Sequence, residues 1–175
     1  MYLKFKIMTK QLITIVILSA VFFNCSKIKE NSEVMVNVQN TGNISGNLLA
    51  QLTQDSSNTV DIFEFAPTGT KVYFRIAKCD LNPEAPCDDY LLYEATSQGG
   101  SFTIDLPATN SGVDVEISLD DFNHNKTIWN YEYDPNTMTY SWVSTQSFKY
   151  YNCSERTVNL HTSMKKIERF EYYHN

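Results

Sequence analysis

Apolar and polar residues alternate with a period of two through most of the chain beyond residue 70, and this restricts its fold more than any other feature. Val72, Phe74 and Ile76 alternate with Tyr73, Arg75 and Ala77; Phe102, Ile104 and Leu106 alternate with Thr103 and Asp105. Val113, Val115, Ile117 and Leu119 alternate with Asp114, Glu116 and Ser118 in the same way. Successive side chains of a strand point to opposite faces, so each run is a strand with one buried and one wet face. Turn signals stand between the runs at Pro67-Thr68-Gly69, Gly99-Gly100, Asn110-Ser111-Gly112 and Asp134-Pro135-Asn136. Only Ser163 to His174 offers a helical pattern, and Phe170, Tyr172 and Tyr173 make a final strand an equal reading. About ten short strands in one domain imply an all-β fold, an antiparallel β-sandwich or barrel.

Met1 to Cys25 carries a different pattern. Lys4, Lys6 and Lys10 precede an apolar run from Leu12 to Phe23, and no acidic residue occurs before Glu30. That is the charge layout of an export signal. The run is shorter than the about 20 apolar residues a membrane-spanning helix needs, so it reads as removable. Phe22-Phe23-Asn24-Cys25-Ser26 resembles the lipobox of bacterial lipoproteins, with Phe22 and Asn24 in the manner of the looser lipoboxes of Bacteroidetes. The resemblance implies cleavage before Cys25 and acylation of Cys25. Ser26, where an Asp would retain the protein at the inner membrane, implies lipid anchoring in the outer membrane, on a periplasmic or surface face that the residues leave open. The chain then divides into a signal over 1–24, a polar tether over 25–41 and a single β-domain over 42–175.

Charge narrows the partners. The sequence holds 14 Lys+Arg and 20 Asp+Glu, and loss of Lys4, Lys6 and Lys10 with the signal leaves 11 against 20, a net charge of −9. Nucleic acid and anionic headgroups are bound mainly through Lys and Arg neutralising phosphate, so the charge disfavours both as partners and no nucleic acid is expected. Between Cys79 and Asn125 there are ten acids and no Lys or Arg. This reads as solvated loops and strand faces or, more sharply, as a cation site or docking surface. An exported chain keeps its disulfides, and Cys79 and Cys87 close a short loop stiffened by Pro83 and Pro86, so these two are expected to be bridged. Cys153 remains as a small buried hydrophobe or an alternative partner in that bridge.

Asn43-Ile-Ser-Gly-Asn-Leu-Leu-Ala50, Ala66-Pro-Thr-Gly-Thr-Lys-Val-Tyr-Phe-Arg-Ile76, Ala95 to Pro107 and Val113 to Leu119 together resemble the transthyretin-like sandwich of the carboxypeptidase regulatory type. A Gly-containing first strand, a strand opening at Pro67 and Gly69, and a later hairpin carrying Thr96, Gly100, Phe102, Leu106 and Pro107 carry the likeness. It covers Asn43 to Leu119, leaving extra C-terminal strands beyond it. Such domains are accessory modules without catalytic residues, which implies a binding or scaffolding role here and no enzyme activity.

Two stretches could carry a ligand. Asp121, Asn123, Asn125, Thr127 and Glu132 stand at the spacing of a calcium-binding EF-hand loop. Lys126 occupies the position that needs Gly, and Lys126 to Tyr133 alternates as a strand, so an Asx-rich turn entering a strand is the competing reading. The second stretch is a hairpin about Asp134-Pro135-Asn136. Pairing Tyr133 with Tyr140 sets Tyr131 opposite Trp142 and Trp129 opposite Ser144, which puts five aromatics on one face. That face is either core packed on a neighbouring sheet or an exposed platform for a glycan or an envelope protein. Signals of catalysis are few: the sequence has no Gly-x-Ser-x-Gly, His-Glu-x-x-His or Cys-x-x-Cys motif and no Gly-rich phosphate loop. His124, beside Asp120 and Asp121, is the one histidine placed to serve an acidic hydrolase-like site.

Overall fold

The computed structural model describes residues 40–57 and 59–175; the stretches up to residue 39, expected to be an export signal over 1–24 and a tether from Cys25, lie outside the described residues. The described residues form β1 (Thr41–Gln54), β2 (Asp61–Phe65), β3 (Lys71–Ala77), a helical turn α1 (Lys78–Leu81), β4 (Tyr90–Thr96), β5 (Ser101–Pro107), β6 (Val113–Leu119), β7 (Phe122–Asp134), β8 (Thr139–Asn152), β9 (Arg156–Leu160) and β10 (Lys165–His174). They make two sheets, one ordered β10-β8-β7-β1-β2 with β5 also on β1, the other β4-β3-β6-β9. The fold is all-β, and Ser163 to His174 takes the strand reading.

The spine of the first sheet is β1. One of its edges holds β5 along Thr41 to Asn47 and then β2 beyond Leu49; the other holds β10 along Asn43 to Ala50 and meets β7 at Thr53. The pairings with β10 and β7 are parallel, so this sheet is mixed and not purely antiparallel. Its inward face alternates as the pleat requires: Ile44, Leu48, Ala50 and Leu52 are buried while Ser45 and Leu49 are partly exposed. Gly46 shares that inward face because Phe102 lies over it. A Cβ there would sit 2.7 Å from the Phe102 ring and 2.9 Å from the Glu168 carbonyl, so only hydrogen fits.

One continuous cluster fills the space between the sheets, joining Ile44, Leu48, Phe102, Phe170 and Tyr172 of the first to Val72, Phe74, Ile76, Val115, Ile117 and Leu160 of the second. Phe74 and Phe102 meet across the layers at 5.9 Å between ring centres. The stretch from Ala95 to Pro107 is not the expected hairpin. β4 belongs to one sheet and β5 to the other, and the turn at Ser97 to Gly100 carries the chain across the corner between them. The Gly99 and Gly100 signal was a genuine turn, with φ of +54° and +72°, but a turn alone does not say which sheet the next strand joins. Cys79 and Cys87 are bridged as expected, with Cα atoms 4.9 Å apart. The bridged loop is also held by an ion pair of 2.6 Å between Lys78 and Asp89.

Candidate functional site: the aromatic face of a projecting hairpin

β7 and β8 pair residue by residue from Phe122 and Tyr151 to Asp134 and Thr139. Only the root of this hairpin belongs to the core. There Phe122 stacks on Tyr151 at 5.1 Å and tilts against Tyr172 at 4.9 Å. The hydroxyls of the two fully buried tyrosines are satisfied, Tyr151 donating to the Gln51 carbonyl and Tyr172 to that of Asp120, each at 3.0 Å. Burial pushes the Tyr172 phenol far above its usual range, so it stays a neutral donor. One step further out Lys126 is 1% exposed. Its ammonium is paired with Asp61 and lies 2.6 Å from Nε2 of His174, so one buried cation ties β7 to β2 and to the end of β10. Past the hydrogen bond of 3.3 Å from the Trp129 amide to Gln54 Oε1, no residue up to Ser144 is buried. The distal hairpin is therefore an arm.

Because side chains alternate, the two faces of the arm differ completely. Phe122, His124, Lys126, Ile128, Glu132 and Asp134 of β7 share the inward face with Val143, Lys149 and Tyr151 of β8. The outward face carries Asn123, Asn125, Thr127, Trp129, Tyr131 and Tyr133 opposite Tyr150, Phe148, Gln146, Ser144, Trp142 and Tyr140. From Asn123 to Tyr133 and from Tyr140 to Tyr150 no charged side chain stands on it, and the Asp121 carboxylate lies just beyond its base. Tyr131, Tyr133, Tyr140, Phe148 and Tyr150 are between 44% and 71% exposed, Trp142 is 41% exposed, and Trp129 is half-buried. The distal rings are ordered against one another: Tyr131 stacks on Tyr140 at 5.4 Å and 20° and lies 5.2 Å from Trp142, while Tyr133 lies 5.1 Å from Tyr140. Between the rings, Gln146 donates to the Thr127 hydroxyl at 2.9 Å. At the base Tyr150 donates to Asp121, and that bond, followed by burial, raises its phenol pKa. At the tip, Met138 is 79% exposed and holds φ = 55°.

Of the two sequence readings of Trp129, Tyr131, Tyr133, Tyr140 and Trp142, the core reading is overturned, because among the described residues no sheet packs over this face and four of the five rings are exposed. Phe148 and Tyr150 extend the strip from five rings to seven and were missed. Their signal was the continued alternation of β8 through Tyr140, Trp142, Ser144, Gln146, Phe148 and Tyr150, which the sequence reading followed only to Ser144.

The calcium reading is corrected. Asp121 to Glu132 does not close into a loop: residues from Phe122 on run along β7, so Glu132 lies about 35 Å from Asp121 at about 3.3 Å per residue. Asn125 faces Phe148, Thr127 is taken by Gln146, and Lys126 is buried against Asp61. Among the described residues no group of three or more His, Cys, Asp and Glu could hold a metal ion. His124 is exposed opposite Lys149 and faces no pair of acids. Cys153 is an unbridged, half-buried thiol whose pKa is raised, chiefly by burial. A shallow depression on the outer face of the second sheet, lined by Tyr73, Arg75, Tyr93, Glu116 and Glu155, has its main charge committed, since Arg75 Nε donates to Glu116 at 2.6 Å and its guanidinium lies 4.5 Å from the centre of the Tyr90 ring. No protein-family model and no curated protein matches this sequence.

Proposed function

We propose that this chain is a lipid-anchored protein of the outer membrane, tethered through Cys25, whose transthyretin-like sandwich is a non-catalytic stand for the β7–β8 arm, and that the outward face of the arm is its contact surface. One observation carries the reading: seven aromatic side chains share one charge-free face of a hairpin that the core holds only at its root. Monomeric proteins rarely leave a contiguous apolar patch of this kind in water unless something covers it. Tyrosine and tryptophan suit such a surface because they offer large area at low conformational-entropy cost and keep a polar edge for water. The anchoring half of the proposal rests on Lys4, Lys6, Lys10, the Leu12 to Phe23 run and Cys25.

The decisive experiment separates the two halves. Intact mass of the membrane-extracted protein is expected to correspond to a chain beginning at Cys25 with acyl groups added, and a mass that includes residues 1–24 overturns the anchor. For the contact surface, the chain carrying Cys25→Ser is mixed with a cell-envelope fraction and sedimented. The protein is expected to pellet with the envelope, and Tyr131→Ser/Tyr140→Ser/Trp142→Ser to remain in the supernatant with an unchanged melting temperature. Equal pelleting of the variant removes the arm from the function.

A further inference from the structure

The ligand class can be argued from the shape and chemistry of the strip, an inference that rests on the contact-surface reading above. Ten residue steps separate the Asn123 and Tyr150 pair from the Tyr133 and Tyr140 pair, so the strip is about 33 Å long on a ribbon only two strands wide, with neighbouring strands about 4.8 Å apart. Two-stranded ribbons twist strongly, so this face turns along its length and cannot lie flat on a bilayer. A second copy of the chain is also disfavoured, because docking two arms face to face would bring together two bodies that each carry 18 Asp+Glu against 9 Lys+Arg over residues 40–175. A narrow, long, twisting surface is matched by a linear polymer that can follow it.

The chemistry of the strip narrows that polymer. Its side chains are ring faces, phenol hydroxyls and the uncharged donors and acceptors of Asn123, Asn125, Thr127, Ser144 and Gln146. An acidic polymer would find no cation there and would meet the field of a negatively charged body. A neutral pyranose chain presents C–H faces that pack on rings and hydroxyl edges that exchange hydrogen bonds with phenols and amides, and this face carries both, rings at its distal end and polar side chains among the rings toward its base. We propose that the outward face of the β7–β8 arm binds an uncharged, linear polysaccharide, with successive sugar rings lying over the Tyr131–Trp142 and Tyr133–Tyr140 pairs.

Native affinity electrophoresis of the full chain tests this, using gels that contain a neutral β-glucan, mannan or xylan and parallel gels that contain alginate. Retardation is expected in at least one neutral gel, insensitive to added salt. Trp142→Ala should weaken it at least tenfold, while Val143→Ala on the inward face leaves it unchanged; near-ultraviolet circular dichroism establishes that both variants are folded. Retardation by alginate alone, by all gels equally in both variants, or by no gel overturns the polysaccharide assignment. If no gel retards the protein but the triple aromatic variant still fails to pellet with envelope, the contact surface stands and its ligand is of another class. Phosphatidylcholine vesicle flotation or concentration-dependent sedimentation that disappears with Trp142→Ala would then assign it to lipid or to a second copy. If the triple variant pellets normally as well, both readings fall.

Discussion

At the scale of single residues, exposure separates the rings that hold the fold from the rings that do not. Phe170 is 1% exposed in the cluster between the sheets, and Phe170→Ala is expected to cost about 3–5 kcal/mol through lost burial and the cavity left behind. Trp142 is 41% exposed and its ring lies against that of Tyr131, so Trp142→Ala should cost about 1 kcal/mol or less, the scale of one aromatic pair at a surface. Paired urea denaturation curves read both values, and equal losses would mean that the arm is part of the core. The Lys126 site is asymmetric in a way that can be measured. Partial burial opposes ionisation of Asp61, but the hydrogen bond and charge of Lys126, with Gln54 and His174 adding to them, hold its carboxyl below the ordinary value. A carboxyl held low in the folded state stabilises the protein above its unfolded pKa of about 3.9, and that contribution fades as pH falls through the lower folded value. Asp61→Asn leaves a cation with 2% side-chain exposure lacking its counter-charge and should cost about 3 kcal/mol near neutral pH. Lys126→Met leaves a carboxylate that still reaches water and His174, and should cost about 1 kcal/mol while flattening the acid limb below about pH 4. Stability measured against pH for the two variants checks both the order and the slope.

At the scale of elements, the arm and the body should behave as separate units of stability. Amides from Asn130 to Val143 bond only within the hairpin and lie beyond all buried side chains, whereas those of β1, β3 and β6 lie beneath the shared core. Hydrogen exchange is therefore expected to be fast in the distal arm and to approach the global unfolding limit in β1, β3 and β6. Uniform protection across both would contradict an arm held only at its root. The existence of these elements was largely legible in the sequence, because alternation at Val72 to Ile76, Phe102 to Leu106 and Val113 to Leu119 is a local property that any half-buried strand must have. The register of the arm was legible too: setting Tyr133 against Tyr140 fixes every other pair, and Tyr131 does face Trp142. What the pattern could not carry was partnership between elements. Alternation marks an inward face without saying what lies against it, which is why the strip could be read as core. It also could not show that β4 and β5 belong to different sheets, or that β1 takes β10 alongside it in parallel. Lys126 hid for a related reason. A lysine in an alternating strand reads as a wet position, and only the meeting of β2, β7 and the end of β10 gives it a carboxylate to be buried against.

At the scale of the whole molecule, the first and last strands of the domain are neighbours, and this governs how it must fold. Asn43 pairs with Lys165 and Ala50 with Tyr172, so the spine of the first sheet has an open edge until the last ten-residue strand is in place. Phe170 and Tyr172 enter the core from that strand, and Gly46 is pressed between Phe102 and the Glu168 carbonyl that it brings. Closing contacts over such a separation must be preceded by the loss of most of the chain's freedom, so folding should be slow, on the order of milliseconds to seconds, as for other domains dominated by non-local strand pairing. The same geometry makes two deletions of similar size unequal. Replacing Asn130 to Val143 by a two-residue Asn-Gly turn removes surface rings and hairpin hydrogen bonds but no buried side chain, and the shortened protein should keep its near-ultraviolet circular dichroism and melt within a few degrees of the parent. Truncation after Met164 removes two fully buried rings, uncovers one edge of β1 and strips His174 from Lys126, and should leave a chain without a cooperative melt that limited proteolysis degrades from both ends. A cooperative transition in the truncated chain would mean that β1 finds its stability elsewhere, and a body that collapses on loss of the arm would mean that the aromatic face supports the fold from which it projects.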